Sequence, residues 1–157
     1  MSAAPKRAID PVRKSIEVKC SPEHAFRIFT EQMNSWWPRA THSVGQAYSA
    51  EVAIEGRVGG RAYEVLANGD RITWGRVLTW DPPRRLVFSW HLNRAVDTAS
   101  EVEIRFIPAG TITRVELEHR NWERFGGEKA EEMRNAYDKG WGTILGEHYV
   151  KAAEIGG

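Results

Sequence analysis

Between Thr113 and Arg120 the chain alternates without a fault. Thr113, Val115, Leu117 and His119 fall on one side of an extended strand, and Arg114, Glu116, Glu118 and Arg120 on the other. A period of two with one apolar and one charged face specifies a sheet covered on one side and wet on the other. The cover is written directly downstream. Ala130, Met133, Tyr137, Gly140, Trp141, Ile144, Leu145, His148 and Ala152 recur at spacings of three and four, one apolar stripe along a helix from Glu128 to Glu154. Glu128, Glu131 and Glu132 fall in its first turns, where the helix dipole favours negative charge.

The upstream pattern supplies the rest of the sheet. Ile16, Val18 and Cys20 alternate with Glu17 and Lys19, a first strand. Ser21-Pro22-Glu23 then opens a short helix, with Ser as N-cap and Pro at the first helical position. A second short helix covers Glu31 to Trp36 and stops at Pro38. From Tyr48 onward strands follow: around Val52 and Ile54, Arg61 to Leu66, Arg71 to Trp80, Leu86 to Leu92, and Val102 to Phe106. Asn68-Gly69 marks a tight hairpin, since both residues tolerate positive φ. Arg61, Tyr63 and Val65 share a face that reads as inward. Trp74 also reads as inward, although Val77 and Thr79 favour the opposite parity on that strand. The expected class is α+β: a curved antiparallel sheet of about seven strands around a long C-terminal helix, with two short helices after the first strand. Residues 1–14 read as a flexible tail and residues 15–157 as one domain.

Composition narrows the function classes. A domain of about 150 residues buries roughly 70% of its unfolded surface, enough for a sizeable core. The net charge is +1, with no run of five like charges, so nucleic acid has no electrostatic support as a partner. No stretch approaches a membrane span, and residues 1–14 lack the apolar core of a secretory signal, so no membrane insertion is expected. The single cysteine, Cys20, excludes an intrachain disulfide and points to a reducing compartment, the cytoplasm. Seven tryptophans are more than a core of this size requires. Each carries a large apolar face and one donor that needs a partner when buried, the equipment of an aromatic-walled cavity or an interface.

The segments Trp36-Trp37-Pro38, Thr41-His42-Ser43, Arg57-Val58-Gly59-Gly60, Trp74-Gly75-Arg76-Val77, Asp81-Pro82-Pro83-Arg84-Arg85-Leu86, Val115-Glu116-Leu117-Glu118-His119 and Gly140-Trp141 occur in an order and spacing that carry a resemblance. From about Ile16 to Tyr149 the chain resembles the bacterial branch of the heat-shock-protein-90 ATPase activator homologue family. That branch lies within the helix-grip superfamily of START and birch-pollen-allergen-type proteins. The resemblance implies a helix-grip fold with a space between sheet and helix. Members hold lipids, hormones, polyketides and other hydrophobic molecules there, and a few are cyclases. It also implies room for a homodimer or a protein partner. Co-chaperone activity of the eukaryotic activators rests on a further N-terminal domain, for which 157 residues leave no room.

The expected site follows from these readings. Trp37, His42, Tyr63, Trp74, Trp90, His119, Met133, Tyr137 and Trp141 are the candidate ligand-binding residues, for a small hydrophobic or aromatic molecule. No nucleophile elbow, phosphate loop or zinc spacing occurs, so no catalytic residue, metal ligand or cofactor is assigned. His42, His119 and His148 share no ligand spacing, and each reads first as a hydrogen-bonded structural histidine. Two alternatives stand beside the binding protein: an interaction module using an exposed Trp36-Trp37 region, and a cyclase- or hydrolase-type enzyme with His42 or His119 as acid/base.

Overall fold

A computed structural model describes residues 9–38, 45–91, 99–125 and 127–155. In chain order it contains β1 (Val12–Val18), α1 (Pro22–Thr30), α2 (Met33–Trp36), a 3-10 turn (Gln46–Tyr48), β2 (Ser49–Ile54), β3 (Arg61–Leu66), β4 (Arg71–Asp81), β5 (Arg85–Trp90), β6 (Ser100–Ala109), β7 (Ile112–Arg120) and a second 3-10 turn (Trp122–Phe125). The long terminal helix follows in three parts: α3 (Gly127–Thr143), a π-helical segment (Ile144–Tyr149) and α4 (Val150–Glu154). The strands form one antiparallel sheet in the order β1-β7-β6-β5-β4-β3-β2. The first strand starts at Val12, so the residues from Val12 to Lys14 belong to the sheet and not to a tail. No helix among the described residues is long and apolar enough to cross a membrane.

Local chemistry sets these elements as expected at several points. The Ser21 side chain accepts the His24 N–H at 3.1 Å and caps α1. Gly69, at φ +92°, turns the β3–β4 hairpin, and Asn68 Oδ1 accepts the Asp70 N–H at 2.9 Å. The strict alternation of β7 holds: Thr113, Val115, Leu117 and His119 are buried under the helix and their neighbours face outward.

One reading of parity is corrected, and the conflict on β4 is resolved. On β3 the buried positions are Ala62 and Glu64, so Arg61, Tyr63 and Val65 lie on the other face. On β4 both Trp74 and Val77 are buried, which a regular strand forbids. Register shifts explain it. Trp74 is the extra residue between the pairs Ala62↔Gly75 and Tyr63↔Thr73, and Leu78 is the extra residue between Val77↔Phe88 and Thr79↔Val87. Each bulge resets the alternation and bends the strand, which helps curve the sheet around the helix. At the first bulge the backbones of β4 and β5 come so close that a Cβ on Gly75 would collide with the Ser89 carbonyl oxygen. The helix stripe is corrected as well. From the last residue of the π-helical segment onward the buried positions are Tyr149 and Ala153, one residue beyond the expected His148 and Ala152. The wider turn takes up the extra residue. Tyr149 then reaches α1, donating to the Ala25 carbonyl at 2.7 Å, and burial pushes the pKa of its hydroxyl up.

On the outer face, arginines surround one carboxylate. Glu103 is 4% exposed and accepts from Arg85 at 2.6 Å, from Arg105 at 2.7 Å and from Arg120. Burial alone would raise its pKa, but the three guanidinium groups outweigh that and hold it at about 2.

Two outcomes are expected. Gly75→Ala should destabilise the fold by about 3 kcal/mol in urea unfolding, because the colliding atom is backbone and cannot step aside. The Glu103 contribution should be fully present above pH 4.5 and be lost as pH falls towards 2, on the order of 2 kcal/mol. Glu103→Gln should flatten the acid limb of the stability curve across that interval.

Candidate functional site

The inner face of the sheet and the long helix enclose an aromatic group. Trp74 comes from β4, Trp90 from β5 and Trp141 from α3, and their rings meet in sequence. Trp74 lies 5.3 Å from Trp90, and Trp90 lies 5.9 Å from Trp141, centroid to centroid. Each indole N–H has a side-chain acceptor. Trp74 donates to Glu64 Oε1 at 2.8 Å, Trp90 to the Tyr137 hydroxyl oxygen at 2.9 Å, and Trp141 to His119 Nδ1 at 3.0 Å. A donor held this way fixes ring orientation as well as position.

The Trp141 bond also fixes the state of His119, which is 0% exposed. An indole N–H only donates, so Nδ1 carries a lone pair and the proton sits on Nε2. That nitrogen lies 2.7 Å from Ser100 Oγ, which in turn donates to the Trp90 carbonyl at 3.3 Å. His119 is thus the neutral Nε2–H tautomer inside a directed chain, Trp141 to His119 to Ser100 to the Trp90 backbone. Trp122 closes the far side. Its ring centroid is 4.0 Å from that of His119, and its N–H donates to the His119 carbonyl at 2.8 Å. With both ring nitrogens engaged, His119 serves this arrangement better as a structural pivot than as an acid/base.

Trp37 completes the group. It follows the last residue of α2, is 5% exposed, and packs on Trp74 at 5.0 Å, Trp141 at 5.9 Å and Trp90 at 6.4 Å. Between these rings, where the resemblance implies space, the structure places an indole. Trp36, whose ring lies 5.9 Å from that of Trp37, packs further on Phe29 and Tyr149 and is equally buried. An exposed Trp36-Trp37 docking surface is therefore not present.

Of the other expected residues, Met133 and Tyr137 are partly buried against the core, with Tyr137 5.3 Å from the His119 ring. Tyr63 does not join them. It lies on the opposite face of β3, with the Arg61 and Arg71 guanidinium groups over its ring at 5.7 and 5.3 Å. His42 lies outside the described residues.

The sequence reading missed Glu64, which is 0% exposed and also accepts the Gly45 N–H at 3.1 Å. Its only signal was position, one residue off the parity assigned to β3. Ser100 and Trp122 were missed as partners of His119.

Concavities lined by described residues include the following two. One, of about 280 Å³, lies among Arg13, Glu103, Arg105, Glu116 and Glu118 on the charged outer face. The other, of about 410 Å³, lies between α1 and the β4–β5 turn, beside Trp80. Among the described residues no group of three or more His, Cys, Asp or Glu is arranged to hold a metal ion.

Residues 19–152 match the family model described as Activator of Hsp90 ATPase homolog 1-like protein. Among solved structures, the anthrahydroquino-gamma-pyrone synthase Txn09 is 40% identical over 86% of this chain and 90% of its own, with a TM-score of 0.58. The self-sacrificing resistance protein CalC from Micromonospora echinospora is 29% identical over 94% of this chain and 96% of its own, with a TM-score of 0.65. The Aha1 dimer from Colwellia psychrerythraea, 18% identical over 94% of this chain and 98% of its own with a TM-score of 0.64, shares the fold. Comparison with curated proteins gives no match.

Trp141→Phe should keep an aromatic ring, though a smaller one, and leave His119 Nδ1 without the Trp141 donor, costing about 1–2 kcal/mol or more in urea unfolding. Long-range proton–nitrogen NMR of the wild type should show the Nε2–H tautomer for His119, and loss of the donor should shift its Nδ1 resonance.

Proposed function

We propose, for a chain that belongs to the Activator of Hsp90 ATPase homolog 1-like family, that the space between sheet and long helix receives a flat polycyclic aromatic molecule of polyketide type. The observation that carries this reading is the aromatic wall. Trp74, Trp90 and Trp141 come from three separate elements, and each N–H is tied to Glu64, Tyr137 or His119. Rings held at fixed orientations are pre-organised to stack a rigid planar ligand, which avoids ordering costs on binding. Tyr137 adds a hydroxyl at one end of the wall, the pattern of a site that is mostly apolar with few polar contacts. The likeness to a synthase of an anthrahydroquinone-type product supports the same ligand class. A buried single thiol at Cys20 suits the cytoplasm as the place of action.

A second reading has one specific support, the 40% identity to that synthase across most of both chains. On it, the site would close a pyrone ring on the bound molecule. A phenolic oxygen would add to the far carbonyl carbon of a 1,3-dicarbonyl arm, and the phenolic proton would pass to that carbonyl oxygen. The hydroxyl so formed would then leave as water together with a proton from the methylene between the two carbonyls, which forms the ring double bond. Such a step gains most from holding the arm over the phenol, which a stacked site supplies by geometry.

The test is titration of the purified protein with 1,8-dihydroxyanthraquinone while tryptophan emission is followed. Saturable quenching is expected. Trp90→Leu, checked for folding by circular dichroism, should weaken it about tenfold or more, and Arg85→Ala on the outer face should leave it unchanged. Linear, non-saturable quenching that is the same in all three proteins would remove this reading. Incubation with an anthrahydroquinone bearing a 1,3-diketone arm separates binding from catalysis: the ring-closing reading expects a product lighter by one water.

A further inference from the structure

We infer that Trp37 is not a wall of the aromatic site but its internal occupant, an indole that a planar aromatic ligand replaces. This rests on the reading of the grip as an aromatic-binding site, and it adds where in the grip the ligand lies and what leaves when it enters.

The first support is where the ring comes from. Trp74, Trp90 and Trp141 project from β4, β5 and α3. Trp37 projects from the end of α2, a four-residue helix without a side-chain cap. At Trp37 the backbone leaves the helix and becomes extended, at φ −64° and ψ 126°, which carries the side chain across to the sheet. Its ring meets the other three at centroid distances of 5.0, 5.9 and 6.4 Å with interplanar angles of 45°, 77° and 44°. Those are the tilted and edge contacts that any bound aromatic ring would make.

The second support is that the wall stands without it. The N–H groups of Trp74, Trp90 and Trp141 bind Glu64, Tyr137 and His119, so none of the three takes its orientation from Trp37. The third is that the segment is anchored next door. The Trp36 N–H donates to the Ile28 carbonyl at 2.8 Å, and Asn34 Oδ1 accepts the Val52 N–H at 3.1 Å. An outward turn of the Trp37 side chain would therefore leave α2 docked.

Replacing one aromatic ring by another conserves apolar burial, so the exchange is set by how much better the ligand stacks than the indole does. The wild-type affinity is then reduced by the small fraction of molecules whose slot is open at any moment.

Trp37→Gly tests this with two probes. Free indole should raise the melting temperature of the variant in a saturable way and leave the wild type unmoved. The variant should also bind 1,8-dihydroxyanthraquinone about tenfold or more tighter than the wild type, since the slot no longer has to be emptied. A folded variant that ignores indole, or that binds the anthraquinone but only as well as the wild type does, would overturn the inference. If the glycine variant fails to fold, Trp37→Leu leaves part of the slot open and is held to the same two comparisons. The readings fail separately. Indole binding to the variant with no anthraquinone binding to either protein removes the polyketide ligand and keeps the slot. Equal anthraquinone binding to both proteins keeps the ligand and removes Trp37 as its stand-in.

Discussion

An indole carried out of water brings one N–H with it, and that donor needs an acceptor. In this protein the acceptors decide how the interior is organised. Trp36 uses the Ile28 carbonyl, Trp74 uses Glu64, Trp90 uses Tyr137, Trp122 uses the His119 carbonyl and Trp141 uses His119 Nδ1. Each bond runs between different segments of the chain or across a turn, so the rings tie the sheet, the short helices and the long helix to one another. Dispersion and burial supply the bulk of the attraction. The hydrogen bonds choose one arrangement among the many that would bury the same area.

His119 is where these constraints meet. Its imidazole accepts a hydrogen bond from Trp141 on one side and donates one to Ser100 on the other, while Trp122 packs on its face. A residue with two ring nitrogens of opposite role is well suited to join two neighbours in a fixed order. The sheet places it correctly because β7 alternates strictly and pairs with β1 on one side, Val12↔His119, and with β6 on the other, Val102↔His119. The charged outer face of the same strands keeps that alternation from slipping, since a shift by one residue would bury Glu116, Glu118 and Arg120.

The element order, the C-terminal helix and the inward face of β7 were legible in the sequence because their periodicities are long and uninterrupted. What escaped depended on contacts that no local pattern encodes. On β3 the aromatic Tyr63 and aliphatic Val65 made the wrong face look apolar, whereas the buried residue is Glu64, satisfied by Trp74 and Gly45. On β4 two bulges broke the alternation that the parity argument assumed. The seven tryptophans announced an aromatic interior, but not that Trp37 would stand inside it rather than at its mouth.

The π-helical segment, Ile144–Tyr149, separates two tasks along one rod. Before it, Tyr137 and Trp141 look into the aromatic chamber; at its end Tyr149 holds α1, and beyond it α4 packs on α1 and β1. A wide turn between them uncouples their angular settings, as a swivel does between two tools on one shaft. Substitutions on the chamber side can then recut the space for a molecule of another outline, while the clamp at the far end keeps its grip.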